Sequence, residues 1–393
     1  MHWKASISSC LLCAGLLLFS FRLPCPALAR DITIVPSIDL RGEYNDNINY
    51  SRTDEQSDFL FTTKPAITAD YRTDVYSVSA GASISFLNYV DFTERNRNNQ
   101  HYRLSGDYRP TERLQLSGSA SYRKDETLES ELTETGILND REDRHHYAVA
   151  GGGAYRLSER SGLNFNLSHQ ETKYDGTGNV DSDSNSISLT FSHDLNHTKD
   201  TITVGPYYSW DQSEVSEVDS YGIRVGWNHA VNETWRLNAN IGGRHTSTLY
   251  KNVLPGFDVE QGTDGFVGDI SVQRLWETAS ASLGYSRSLN YSASGDPIDV
   301  DRLFVNGSRN LTTRLSLGVS GNISKSRSEG LLSNTDTRNF GLGGTMNYKV
   351  NEDHLLSLGY NYGKNVDRTI PDDDTAQRHA IWLLLNLRFP RKW

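Results

Sequence analysis

The chain has 393 residues with 49 acidic against 39 basic side chains, a net charge of −10, and this balance excludes a cationic nucleic-acid surface. Its three cysteines, Cys10, Cys13 and Cys25, all precede residue 30, so the rest of the chain has no disulfide, thiolate or cysteine metal chemistry. A mean hydropathy of −0.57 reads like that of a water-soluble protein, yet a membrane β-barrel averages the same way because only alternate residues face lipid, so periodicity has to decide.

The first element is a leader. Lys4 precedes an apolar run from Ile7 to Phe21, and the small residues Ala27 and Ala29 follow, which is the pattern of a secretory signal peptide over residues 1–29 with cleavage after Ala29. The run is short for a membrane-spanning helix and is closed off by Arg22, Pro24 and Pro26. Cys25 follows Leu23 and Pro24, and Cys13 follows Leu11 and Leu12, so neither sits in a lipidation consensus.

From Ile34 to Phe389 apolar residues alternate with polar ones, the period of a β-strand. Leu114, Leu116, Gly118, Ala120 and Tyr122 alternate with Gln115, Ser117, Ser119 and Ser121; Ile381, Leu383, Leu385, Leu387 and Phe389 repeat the pattern at the far end. Strands are expected over 33–44, 58–71, 75–89, 100–109, 113–124, 144–157, 161–173, 184–196, 200–210, 220–231, 235–244, 265–274, 279–287, 299–309, 314–324, 337–349, 355–362 and 376–389. The connections alternate between short ones, such as Arg72–Asp74 and Pro110–Glu112, and long ones, notably 125–143 and 245–264. Short turns on one side and long loops on the other are the habit of outer-membrane barrels.

Aromatic side chains sharpen this reading. Tyr71, Tyr108, Tyr155, Trp227, Trp235 and Tyr348 fall at the short-turn ends, and Tyr44, Tyr102, Tyr122, Tyr208 and Tyr285 near the long-loop ends, making two interfacial girdles. The fold expected for residues 30–393 is therefore all-β, a transmembrane antiparallel up-and-down β-barrel of about eighteen strands, with sixteen as the alternative. An even count puts both termini in the periplasm. Soluble sandwiches and propellers fit less well, because globular strands run nearer about five or six residues.

With the apolar phase on lipid, the other phase lines the lumen with Ser117, Ser119, Asn164, Asn166, Ser188, Thr190, Asn238, Asn240, Ser282, Ser316, Ser320 and Asn347. This small polar lining in a wide barrel predicts a channel. Arg103, Arg123, Arg156, Arg224, Arg236 and Arg388 share that phase, against Asp107, Asp194 and Asp269, so the candidate site is a basic lumen with a preference for anions or anionic polymers. The opposing reading is that these arginines pair with neighbouring acids and brace the wall. Loop 125–143 carries Asp125, Glu126, Glu129, Glu131, Glu134, Asp140, Glu142 and Asp143 against Arg141 alone. Solvation explains it most simply, although it and the segment from Thr246 to Gly262 are long enough to fold back over the lumen.

Catalytic and metal patterns are weak. Asp181, Asp183 and Asn185 open like a calcium loop, but Ser186 and Ser192 occupy the glycine and distal carboxylate positions. His145 and His146 point to opposite faces of a strand. No cofactor and no metal is expected, and an outer-membrane lipid hydrolase built on a Ser–His dyad is the only enzymatic reading carried forward. At the C-terminus Phe389 and Trp393 resemble the aromatic signal read by the barrel-insertion machinery.

The run Glu43-Tyr44-Asn45-Asp46-Asn47-Ile48 at the end of the first strand and the turn Tyr155-Arg156-Leu157-Ser158-Glu159-Arg160 resemble the β-barrel porins of the second type. That resemblance implies an outer-membrane channel in contact with lipid and lipopolysaccharide, associated with exopolysaccharide export, without catalytic residues, and dependent on a separate periplasmic partner. A general diffusion porin for small polar or anionic solutes is the alternative.

Overall fold

A computed structural model describes residues 31–138, 141–195, 199–254, 257–329, 334–369 and 374–392. The leader and Trp393 lie outside these residues, so the cleavage site and the last aromatic position are not placed. The described residues form one closed antiparallel barrel of eighteen long strands, each hydrogen-bonded to its sequence neighbours, with β1 (Asp31–Asn45) closing on β18 (Asp374–Arg388). A two-residue β19 (Arg391–Lys392) resumes pairing with β1 beyond Pro390. The count is eighteen, and all eighteen expected strands are present.

The apolar phase faces outward. Phe59, Ile67, Val149, Leu167, Ile223, Ile241, Leu283, Val319, Leu342 and Leu383 are all exposed large hydrophobics, an arrangement that is stable only against lipid. The opposite phase pairs small polar residues across strands, as in Ser117 opposite Gly152 and Asn166 opposite Ser188. The expected girdles pair across strands: Tyr102 stacks on Tyr122 with centroids 5.8 Å apart, and Tyr71 on Tyr76 at 5.5 Å.

Strand β11 (Trp235–Leu254) and β12 (Phe257–Leu275) extend far beyond the expected boundaries. The described residues of the segment from Thr246 to Gly262, expected as a loop able to fold over the lumen, instead continue the ladder, with Thr246 opposite Thr263 and Tyr250 opposite Val259. The reason is physical: about 9–11 residues cross a bilayer, and past that point no lipid enforces the apolar alternation by which the strand was recognised. Both ends of the described barrel lie at the short-turn end, where Asp31 pairs with Arg72 and the amide of Arg388 donates to the Asp353 carbonyl at 3.1 Å.

Candidate channel constriction

The connection between β5 (Leu114–Glu126) and β6 (Asp143–Arg156) turns into the barrel. It starts with a helix, α1 (Thr127–Glu134), whose Leu128 packs with Tyr50 and Ala376, against which Leu132 and Leu138 also lie. The amide of Thr127 donates to the Glu142 carbonyl at 3.0 Å, and the Glu142 amide donates to Thr127 Oγ1 at 2.9 Å, so the two ends of the segment are tied together at the wall. Thr135 and Gly136 amides both return to the Glu131 carbonyl, at 2.8 and 2.9 Å, and Gly136 takes the left-handed conformation (φ +78°) that terminates the helix.

The segment is a strap across the full bore. It leaves from β5 and β6, and its far contacts are on β13 to β18; β5 and β14 are nine places apart around an eighteen-stranded ring. Asn290 Nδ2 of β13 (Ala279–Tyr291) donates to the Glu134 carbonyl at 2.7 Å, and Arg302 of β14 (Pro297–Asn310) donates to the Thr133 carbonyl at 2.6 Å. Ser326 of β15 (Leu315–Glu329) donates to the Thr135 carbonyl. The Gly136 carbonyl accepts from Asn339 (2.8 Å), Asn365 (3.0 Å) and Thr337 (3.3 Å), on β16 (Asn334–Lys349) and β17 (His354–Asp367). A Cβ at Gly136 would stand 2.2 Å from Asn339 Nδ2, so only glycine fits this approach.

Charge locks the near side. Arg144, 1 % exposed, forks between Asp125 (Nε to Oδ1, 3.0 Å) and Glu134 (Nη1 to Oε2, 2.9 Å; Nη2 to Oε1, 3.1 Å). Arg123 bridges the same two acids at 2.8 and 2.9 Å. Arg97 and Arg141 hold Glu126 at 2.8 and 3.2 Å, and Arg378 of β18 holds Glu129 at 2.5 Å. Four acids of this loop, Asp125, Glu126, Glu129 and Glu134, expected as solvated surface charge, are instead paired with arginines in the lumen, of which Arg97 and Arg378 come from other strands and so escape a linear count of the loop; Asp140 lies outside the described residues.

Burial raises the Glu131 carboxyl to about 7, and the neighbouring Glu134 pushes the same way against the pull of Arg144. Its oxygens accept from Thr135 Oγ1 at 3.1 Å and Tyr174 Oη at 3.3 Å. Burial alone would raise Glu134 as well, but Arg144 and Arg123 overcome it and hold this carboxyl below its ordinary value.

A second loop covers part of the same mouth. Between β13 and β14, Ser292 to Asp296 turns through Gly295 (φ +85°), whose carbonyl accepts from Ser216 Oγ at 2.6 Å, while the Ala293 carbonyl accepts from the Val180 amide at 2.8 Å. No signal in the sequence distinguished this loop from the others. Beside the strap, on the β1 to β4 wall, a cavity of about 670 Å³ remains, lined among others by Arg41, Lys64, Arg97, Glu43 and Tyr89.

Of the six singled-out arginines, Arg123 is tied into the strap. Arg103, Arg156, Arg224, Arg236 and Arg388 stand on the same lumen-facing phase, opposite Gly81, Gly162, Gly205, Ala230 and Ser37, and none has a carboxylate partner among the described residues. Arg224 lies over the Tyr207 ring at 4.1 Å. The acids expected inside are engaged by neutral groups: Asp107 by Gln115 at 3.3 Å, Asp194 by Thr201 at 2.6 Å, Asp269 by Asn240 at 3.1 Å. His145 and His146 diverge, the first to Tyr122 at 2.9 Å and the second to Thr172 at 3.0 Å. Ser161 and His193 meet at 2.9 Å on the outer face, with no acid bonded to the ring among the described residues, and no metal-holding cluster occurs among those residues.

Residues 31–188 match the family described as Putative beta-barrel porin 2, and both segments that carried the resemblance lie inside that span. Among solved structures, the chain is similar to the ferric citrate transporter FecA in its unliganded form (9 % identity, 93 % of this chain and 79 % of that one, TM-score 0.52) and to OccK9 (OpdG) of Pseudomonas aeruginosa (10 % identity, 92 % and 98 %, TM-score 0.50). At these identities the likeness is one of fold. No curated protein matches the chain. Fold and family match together define a porin-like outer-membrane β-barrel channel.

Proposed function

We propose that this barrel is an outer-membrane conduit involved in exopolysaccharide export, with both termini in the periplasm and a separate periplasmic partner delivering the polymer. The observation that carries the reading is the strap. A wall-to-wall tie, made by the Arg144 ion pairs on one side and by hydrogen bonds to the Gly136 carbonyl on the other, narrows the bore at rest, which suits a dedicated route that must keep the membrane tight between uses; a general diffusion pore has less need of it. The wall away from the strap supports the reading too, because Asn164, Asn166, Ser188, Thr190 and Asn238 offer amides and hydroxyls to a hydroxyl-rich chain. Deletion of the gene should abolish surface polymer and leave small-solute permeability near normal. Intact surface polymer in the deletion strain sinks the proposal.

A second reading, a diffusion porin for small polar or anionic solutes, is favoured by the five lumen arginines that lack carboxylate partners among the described residues. In planar bilayers it requires steady open-channel conduction, and a reversal potential showing cation preference would remove the anionic part. Among the described residues, the lipid-hydrolase reading has the Ser161–His193 pair behind it.

A further inference from the structure

Cations on the lipid-facing phase near the long-loop end are mostly matched. Lys124 has Asp143 at 2.7 Å, Lys173 has Glu171 at 2.6 Å, and Arg287 has Asp299 at 2.7 Å. The face of β15 to β17 differs. Lys325 stands directly opposite Arg338, one outward step beyond the apolar pair Ile323 and Phe340, and Phe340 in turn faces Lys364. Arg327 lies one step further out. The single acid among them, Asp336, is shared loosely by Lys325 at 3.7 Å and Arg327 at 3.8 Å. Asp301, opposite Lys325, is already taken by Arg287 at 3.1 Å and Tyr285 at 2.6 Å. Arg338 and Lys364 have no ion pair among the described residues, and Arg338 Nε is buried without a partner. Like charges directly opposite on a sheet repel, so an anion bound across this row would stabilise it.

A second feature lies below the row on the same outer face. Gly307, Val319, Gly344, Tyr360 and Ile381 are successive cross-strand neighbours from β14 to β18, and the two glycines leave a hollow of about 790 Å³, lined further by Leu317, Met346 and Leu358. A Cβ added at Gly344 would meet nothing within 4 Å. Counting along β15 from Lys325 to Val319 at about 3.3 Å per residue, the hollow is roughly 20 Å from the cations, the reach of an acyl chain.

We propose that the outer face of β14 to β18 binds one phosphorylated glycolipid of the outer leaflet, its phosphates on Lys325, Arg338 and Lys364 and an acyl chain over Gly344. Commitment to the outer leaflet rests on the orientation proposed above; lipid binding in detergent does not depend on conduction or on polymer export, so the two can fail separately. The test titrates delipidated full-length protein, in a zwitterionic detergent, with bisphosphorylated lipid A, dephosphorylated lipid A and phosphatidylglycerol, counting bound lipid by native mass spectrometry. Bisphosphorylated lipid A should be retained, and the other two should bind roughly tenfold more weakly or worse. The triple variant K325Q/R338Q/K364Q should lose retention by a similar factor while melting no lower than wild type without lipid, since a repulsive pair has gone. Should the triple variant fail to assemble, Lys364→Gln alone carries the same reading, with Lys124→Gln as the unaffected control. Equal retention by the variants, or equal binding of dephosphorylated lipid A, overturns the site; equal binding of phosphatidylglycerol overturns its assignment to the glycolipid.

Discussion

The two longest connections of the chain, 125–143 and 245–264, look alike in the sequence and end up doing opposite things. The first crosses the lumen; the second continues as wall through β11 and β12. What separates them is the supply of partners. Loop 125–143 has carboxylates at positions where Arg123, Arg144 and Arg378 can receive them, and a glycine where the backbone must press against Asn339. Segment 245–264 instead keeps a two-residue period, with Thr246, Thr248 and Tyr250 buried on one side and Ser247 bonded to Glu260 across the hairpin on the other. A segment that can satisfy its backbone by pairing with itself has no reason to leave the sheet.

That contrast is broken most directly by cutting each segment. Replacing residues 128–138 with a short Gly-Ser linker should raise single-channel conductance severalfold, because nothing then spans the bore. Removing 247–261 from the β11–β12 hairpin should leave conductance near the wild-type level. Equal conductance in all three proteins would mean that the strap is not the constriction.

The next largest effect should come from Arg144. Its guanidinium is the buried pivot between Asp125 and Glu134, so Arg144→Met leaves both acids to Arg123 alone, at a cost of about 3 kcal/mol to strap docking. Limited proteolysis should then cut within 127–142 while the barrel itself stays resistant. Unchanged protection of the strap would place its anchorage in the remaining contacts, those of Gly136, Asn290, Arg302 and Arg378.

How much of this was legible beforehand follows from where each signal originates. The eighteen strands were readable because lipid contact imposes a strict period of two, as on Leu114 to Tyr122 and Ile381 to Leu387. The inward phase of the arginines followed from the same period. The length of loop 125–143 made a fold over the lumen an expectation shared with the segment from Thr246 to Gly262, but which of the two crosses was not readable, because the anchors, Asn290, Arg302, Asn339, Asn365 and Arg378, are brought to it only by closure of the ring, at separations of more than 150 residues. The lipid-facing cations of β15 to β17 were equally hidden, since Lys325 meets Arg338 only through register.

The smallest effect predicted is on pH dependence, and its sign is fixed by Glu131. Docking the strap raises this carboxyl from 4.5 to about 7, so the docked state holds a proton that the released state gives up. Docking is therefore strongest below about 4.5, weakens as pH rises through the window from 4.5 to about 7, and is flat above it. Hydrogen exchange of the strap amides, followed from pH 4.5 to 8 and corrected for the intrinsic rate, should show protection falling with pH in the wild type and staying level in Glu131→Gln, where a neutral amide replaces the titrating group. Protection that rises with pH would reverse the assignment and point to Glu134, whose carboxyl Arg144 and Arg123 hold in the charged form, as the group that governs docking.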